Sequence, residues 1–130
     1  MNTLNKAKEI EGQLMLLEES LTGLRGEDQH RIAMVGLEWV TTILRKNNDY
    51  GGSVWTRPIL APECTKDAAI RVRMSDKIGR LVKILSSHRA LEVRESFEDT
   101  VSDLGAYCLL LLAMPVGDDL QDGEKIKSHD

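Results

Sequence analysis

Apolar residues return every three or four positions along most of this chain, and that interval belongs to the α-helix rather than the strand. Between residues 3 and 25, Ala7, Ile10, Leu14, Leu17, Leu21 and Leu24 alternate steps of three and four, which is the seam of an amphipathic helix with heptad character. Such a seam has to lie along another helix. Glu27 and Asp28 put negative charge at the start of a second helix, which the pattern carries to about Asn47 with Ile32, Val35, Trp39, Val40 and Ile43 on its apolar side. A short helical segment from Lys66 to Met74 leads into SDKIGRLVKILSSH, where Ser75 reads as an N-cap and Ile78, Leu81, Val82 and Leu85 as an inner face. The last helix, from about Val93 to Ala113, is expected to turn Phe97, Val101, Leu104, Cys108, Leu111 and Leu112 to a core and to end before Pro115 and Gly117. Strand-like alternation is nearly absent, and aromatics make up only 4% of the residues. The expected fold is therefore all-α, a helical bundle of four to five helices that is oligomeric.

A chain of 130 residues supports one core. The boundaries that follow are a single domain over 1–114, with 1–25 as an oligomerisation helix and 27–113 as the helical core, and a flexible polar tail over 115–130. The segment NNDYGGSVWTRPILAPECT, residues 47–65, has paired Asn, paired Gly and two prolines, and reads as a functional loop. Seventeen Lys and Arg stand against 21 Asp and Glu, a net charge of -4, which argues against a duplex nucleic-acid partner and makes any phosphate recognition local. Cys64 and Cys108 have no metal-like spacing and are expected as buried, reduced thiols, which suits a cytoplasmic protein. The first residues are polar and lack an apolar signal core, and CLLLLAM is far too short for a membrane span.

Three constellations carry chemistry. Glu95, Asp99 and Asp103 recur every four residues, so on a helix they stack on one face, where like charges cost a few tenths of a kcal/mol per pair. Asp103 runs straight into the apolar CLLLLA region and is expected near-buried, so a hard cation such as Mg²⁺, with Glu38 as a further carboxylate, would explain the ladder. A solvated acidic stripe is the alternative. In KNNDYGGSVW, Gly51 and Gly52 allow close approach of a ligand while Tyr50 and Trp55 offer flat faces to a base; aromatics plugging the core are the alternative. Arg73, Lys77 and Arg80 stack ahead of Lys83 and suit phosphate, or else form a solvated basic face or salt bridges to the acidic ladder. His30, His88 and His129 have no partner spacing for a metal or a triad.

KNNDYGGSVW, DKIGRLVKIL and ESFEDTVSDLGAYCLLLL together resemble the nucleotide modification associated domain 1 family over about residues 28–113. That family in turn resembles the all-α, MazG-like and dimeric dUTPase-like nucleoside triphosphate pyrophosphohydrolases. The resemblance implies a MazG-like bundle whose carboxylates hold Mg²⁺ or Mn²⁺ over the substrate phosphates. Glu38 has Thr41 three residues on where a second Glu would complete the first motif, and Asp103 has Thr100 three residues before it, with Asp99 one further back. Carried over, it implies Glu38, Glu95, Asp99 and Asp103 as metal ligands, Glu38, Asp103 and Lys77 as catalytic, and contacts to a nucleoside triphosphate at Lys46, Asp49, Tyr50, Gly51, Trp55, Asp76, Lys77, Arg80 and Tyr107. Release of nucleoside monophosphate and pyrophosphate is the implied reaction. A nucleotide-holding module without catalysis and a plain oligomeric interaction protein are the competing expectations. The N-terminal seam, beside so small a remaining core, predicts a homodimer or homotetramer.

Overall fold

The computed structural model describes residues 2–23, 26–49, 53–87 and 90–115, with the side chains of Ser53 and of residues 90–95 left outside that description. The described residues are all-helical. In chain order these are α1 (Thr3–Thr22), α2 (Glu27–Asp49), a 3₁₀ turn (Ser53–Trp55), α3 (Lys66–Leu85) and α4 (Ala90–Ala113). None of these helices is long and apolar enough to cross a membrane. The expected tail lies almost entirely beyond the described residues, as do Tyr50, Gly51 and Gly52.

The chain divides into two compact units, residues 1–42 and 43–130. In the first, the Asn2 side chain caps α1 by accepting the Asn5 N–H at 2.9 Å, satisfying one of the orphan donors of the first turn. α1 nevertheless has no buried residue, and Ile10, Leu14, Met15, Leu16 and Leu17 are all exposed. Gly26, at φ 98°, supplies the left-handed backbone ahead of α2 that a side chain would strain. Glu27 and Asp28 then sit in the first turn of α2, where carboxylates complement the helix dipole. Ile32 and Val35, expected to face a core, are exposed.

The second unit is built on an antiparallel hairpin of α3 and α4. Thr65 starts α3: its hydroxyl accepts the Ala68 N–H and donates to Asp67, which also pairs with Arg71 one turn on at 3.2 Å. α3 is one continuous helix, so Ser75 is not the N-cap that the sequence suggests. Its hydroxyl donates instead to the Arg71 carbonyl four residues back, an option that lets serine sit inside a helix. Upstream, two successive turns, closed by Ala61 N–H to Pro58 O and Cys64 N–H to Ala61 O, project Ile59 and Leu60 fully into solvent. The Arg57 guanidinium braces this loop by donating to the Pro62 carbonyl at 2.8 Å.

The faces of the hairpin differ from the expectation. On α4 Thr100 is buried and Ser96, residues 103–107 and residues 109–111 are half-buried, so that polar Ser96, Thr100, Asp103 and Tyr107 share the inward side with Leu104, Leu110 and Leu111, while Phe97, Val101, Cys108 and Leu112 are exposed. On α3 the inward line is Ile70, Met74, Lys77, Leu81 and Ile84, and Ile78, Val82 and Leu85 are exposed. Leu81, Leu104 and Leu111, also expected inward, are half-buried, so part of each expected face points inward and part is turned to solvent. The polar seam is tolerated because its members are satisfied locally. Thr100, only 2% exposed, donates its hydroxyl to the Ser96 carbonyl at 2.6 Å, and Asp103 meets a cation. Ile43, Ala69 and Ile70 are the buried apolar residues among those described.

Candidate functional site

Lys77 and Asp103 meet across the hairpin. The Lys77 Nζ donates to Asp103 Oδ2 at 3.1 Å, with the two side chains 25% and 45% exposed. Asp103 is therefore half-open rather than near-buried. It occupies the seam, and the leucines that follow it turn off at 100° per residue, so the apolar run does not close over its carboxylate. The cross-helix salt bridge is one of the alternatives that the basic face of α3 raised, and it neutralises one rung of the acidic ladder without a metal ion.

Register places other charges around this pair. In an antiparallel hairpin, residues one position before the seam on both helices fall on the same side. Asp76 and Arg80 of α3 thus share a side with Asp99 of α4, and all three are exposed. Glu95 belongs to α4, but its side chain lies outside the described residues. Glu38 is exposed in the part of α2 that belongs to the first unit. Lys46 and Asp49 are exposed in the last turn of α2, where the Lys46 charge suits the negative end of the helix dipole. Among the described residues no three His, Cys, Asp or Glu side chains converge on a point where a metal could sit.

Trp55 is tied down from a distance in sequence. Its indole N–H donates to the Leu110 carbonyl at 3.1 Å, one of the four C-terminal carbonyls of α4 that have no partner within the helix. The half-buried indole therefore acts as a side-chain cap on α4 and also helps hold the 3₁₀ turn against the hairpin. No sequence signal announces this tie, since Trp55 and Leu110 stand in segments with no shared pattern. Tyr107 is half-buried on the same seam, between Asp103 and Leu110.

The described residues define a class, an all-helical protein with a polar seam in its α3/α4 hairpin and a half-open Lys–Asp pair at its middle. No protein-family model, no curated protein and no solved structure matches the chain.

Proposed function

We propose that the chain is a nucleoside triphosphate pyrophosphohydrolase dependent on Mg²⁺ or Mn²⁺, acting on ribo- or deoxyribonucleotides and releasing nucleoside monophosphate and pyrophosphate. The observation that supports this reading is the 3.1 Å pair of Lys77 and Asp103, half-open to water, with the Asp99 carboxylate one turn away on α4 and the Arg80 guanidinium one turn on along α3. Carboxylate oxygens suit Mg²⁺, which takes few protein ligands and fills the rest of its shell with water and phosphate oxygens. Asp99 and Asp103 are the residues that would hold it. An ion bound there supplies Lewis acidity and lowers the pKa of a bound water.

The chain's own residues supply the rest. In the pair, the Lys77 charge is matched by Asp103; a triphosphate offers the ammonium another anionic acceptor, and the divalent cation that Asp103 would hold would match the carboxylate Lys77 leaves. Arg80 presents a planar fork that fits phosphate oxygens in pairs. Leu110, where Trp55 is anchored, lies seven residues beyond Asp103, about 10 Å along the helix. That is the span from the phosphates to the base of a nucleotide, so Tyr107 and Trp55 can flank a base while Lys77 and Arg80 meet phosphate.

A second reading, a module that holds nucleotide without hydrolysing it, is favoured by the lack of a third converging carboxylate among the described residues. One experiment separates the two. The protein is incubated with canonical ribo- and deoxyribonucleoside triphosphates and Mg²⁺ or Mn²⁺, and the products are resolved. Monophosphate with pyrophosphate is expected, and Asp103→Asn is expected to reduce turnover to background while changing unfolding free energy by no more than about 1 kcal/mol, since the pair is half-exposed. Thermal stabilisation by nucleotide without product supports the second reading. Full turnover in Asp103→Asn sinks the first.

A further inference from the structure

We infer that the Lys77–Asp103 pair is a mutual mask: each residue withholds the other from a ligand, so an anionic ligand and a divalent cation raise each other's affinity for this site. The inference rests on the nucleotide reading for the identity of the two ligands and adds the coupling between them. It begins with the neighbours of the pair, which are of like charge on each helix. On α3, Arg73 stands four residues before Lys77 and Arg80 three after it, so three cations share one side of that helix. Asp76 adjoins Lys77 in the chain but projects about 100° away. On α4, Asp99 stands four residues before Asp103. The 3.1 Å bond from the Lys77 ammonium to Asp103 cancels charge between the basic group and the acidic one.

Opening the bond therefore sets free more than one ion pair. The released ammonium has no carboxylate one turn away on its own helix, because positions 73, 74, 80 and 81 are Arg73, Met74, Arg80 and Leu81. The released carboxylate has Asp99 one turn away, its other neighbours at that spacing being Thr100, Ala106 and Tyr107. Like charges at these spacings repel, so each half of the pair resists separation while its own helix offers nothing in exchange.

A ligand changes that balance. A polyphosphate gives Arg73, Lys77 and Arg80 one shared acceptor, and the oxygens of Asp103 are then left beside Asp99 alone, the arrangement in which two carboxylates favour a divalent cation most. In the opposite order, Asp103 turned to a cation gives up Lys77, which then belongs to the anion. By linkage the two ligands gain the same factor from each other. Because the pair is half-exposed, the part of that factor owed to the pair itself is about two- to fivefold. Neither ligand alone reads the site at full strength, and the two together do.

Two binding measurements on the full chain test the mask, one for each ligand without the other, and neither reads turnover. With EDTA present, the affinity for inorganic tripolyphosphate is measured by titration calorimetry. Asp103→Asn keeps the shape, frees Lys77, and is expected to bind tighter than wild type by that same factor. Asp99→Asn removes an equal charge one turn away and leaves the pair intact, so its gain is expected to be clearly smaller. With phosphate absent, Mn²⁺ affinity is read from the paramagnetic resonance signal of the free ion. Lys77→Met is expected to tighten Mn²⁺ binding, and Lys77→Arg, which can remake the pair, to stay near wild type. Unchanged or weaker tripolyphosphate binding in Asp103→Asn overturns the mask, as does an equal gain in Asp99→Asn. So does unchanged or weaker Mn²⁺ binding in Lys77→Met. The two arms are independent, so a variant that fails to fold leaves the other arm to decide. Any of these results with nucleotide turnover by the wild type leaves the nucleotide reading standing. If neither wild type nor variant binds either probe, both fall.

Discussion

α1 and α3 are both twenty residues long, and each begins at a side-chain cap, Asn2 for α1 and Thr65 for α3. Each also carries a glycine in mid-helix, Gly12 and Gly79, with nothing within 4 Å of where a Cβ would stand. Their surroundings differ. α3 buries Ala69 and Ile70 and is held to α4 by an ion pair, whereas α1 buries nothing. A cap and good helix formers are enough to write a helix into a sequence, but an isolated helix of this length is marginal in water. What α3 has is α4 packed along it, helices of 20 and 24 residues. The comparison separates local from tertiary stabilisation within one chain.

The largest effect that tests it is loss of a buried side chain. Ile70→Ala is expected to lower the unfolding free energy by about 2–5 kcal/mol, and Leu14→Ala, at an exposed position in α1, by no more than about 0.5 kcal/mol. Urea titrations of both variants check this. Equal losses would mean that α1 is as firmly packed as α3. A smaller effect sharpens the contrast. Gly12→Ala and Gly79→Ala each gain about 0.5–1 kcal/mol of local helix stability, because the new methyl meets nothing. In Gly79→Ala the gain is expected to raise the global urea midpoint. In Gly12→Ala it is expected only in the amide exchange of α1, with the midpoint unmoved. The smallest effect lies in the ladder: Asp99→Asn removes a like charge one turn from Asp103 and is expected to raise metal-free stability by a few tenths of a kcal/mol. A fall in the melting temperature would show that Asp99 has a favourable partner.

The helices were legible because their apolar spacing is helical whatever surrounds them. The faces were not. Spacing says which stripe of α4 is apolar, but the choice between the stripe with Phe97 and Val101 and the one with Ser96 and Thr100 depends on what lies opposite. A threonine that bonds its own helix at Ser96 and an aspartate matched by Lys77 make the polar stripe packable, and neither condition can be read along a single helix. Ser75 misled for a related reason, since the same hydroxyl that caps a helix can bond back into one. At the candidate site, Lys77 and Asp103 were both legible as charges with work to do, one for phosphate and one for metal. Their meeting was not, because the intervening residues 78–102 carry no mark of the register of the hairpin. Tyr50 and Gly51 lie outside the described residues.

The indole of Trp55 adds a temporal order to this architecture. α3 and α4 are separated by four residues, Ser86 to Arg89, so bringing them together closes a short loop at small entropic cost. The bond from Trp55 to Leu110 closes a loop of 55 residues, and its closure becomes less costly once the hairpin has already shortened the effective path between its ends. On closure cost alone, pairing of the two helices is expected to precede docking of the 3₁₀ turn onto the open carbonyl end of α4.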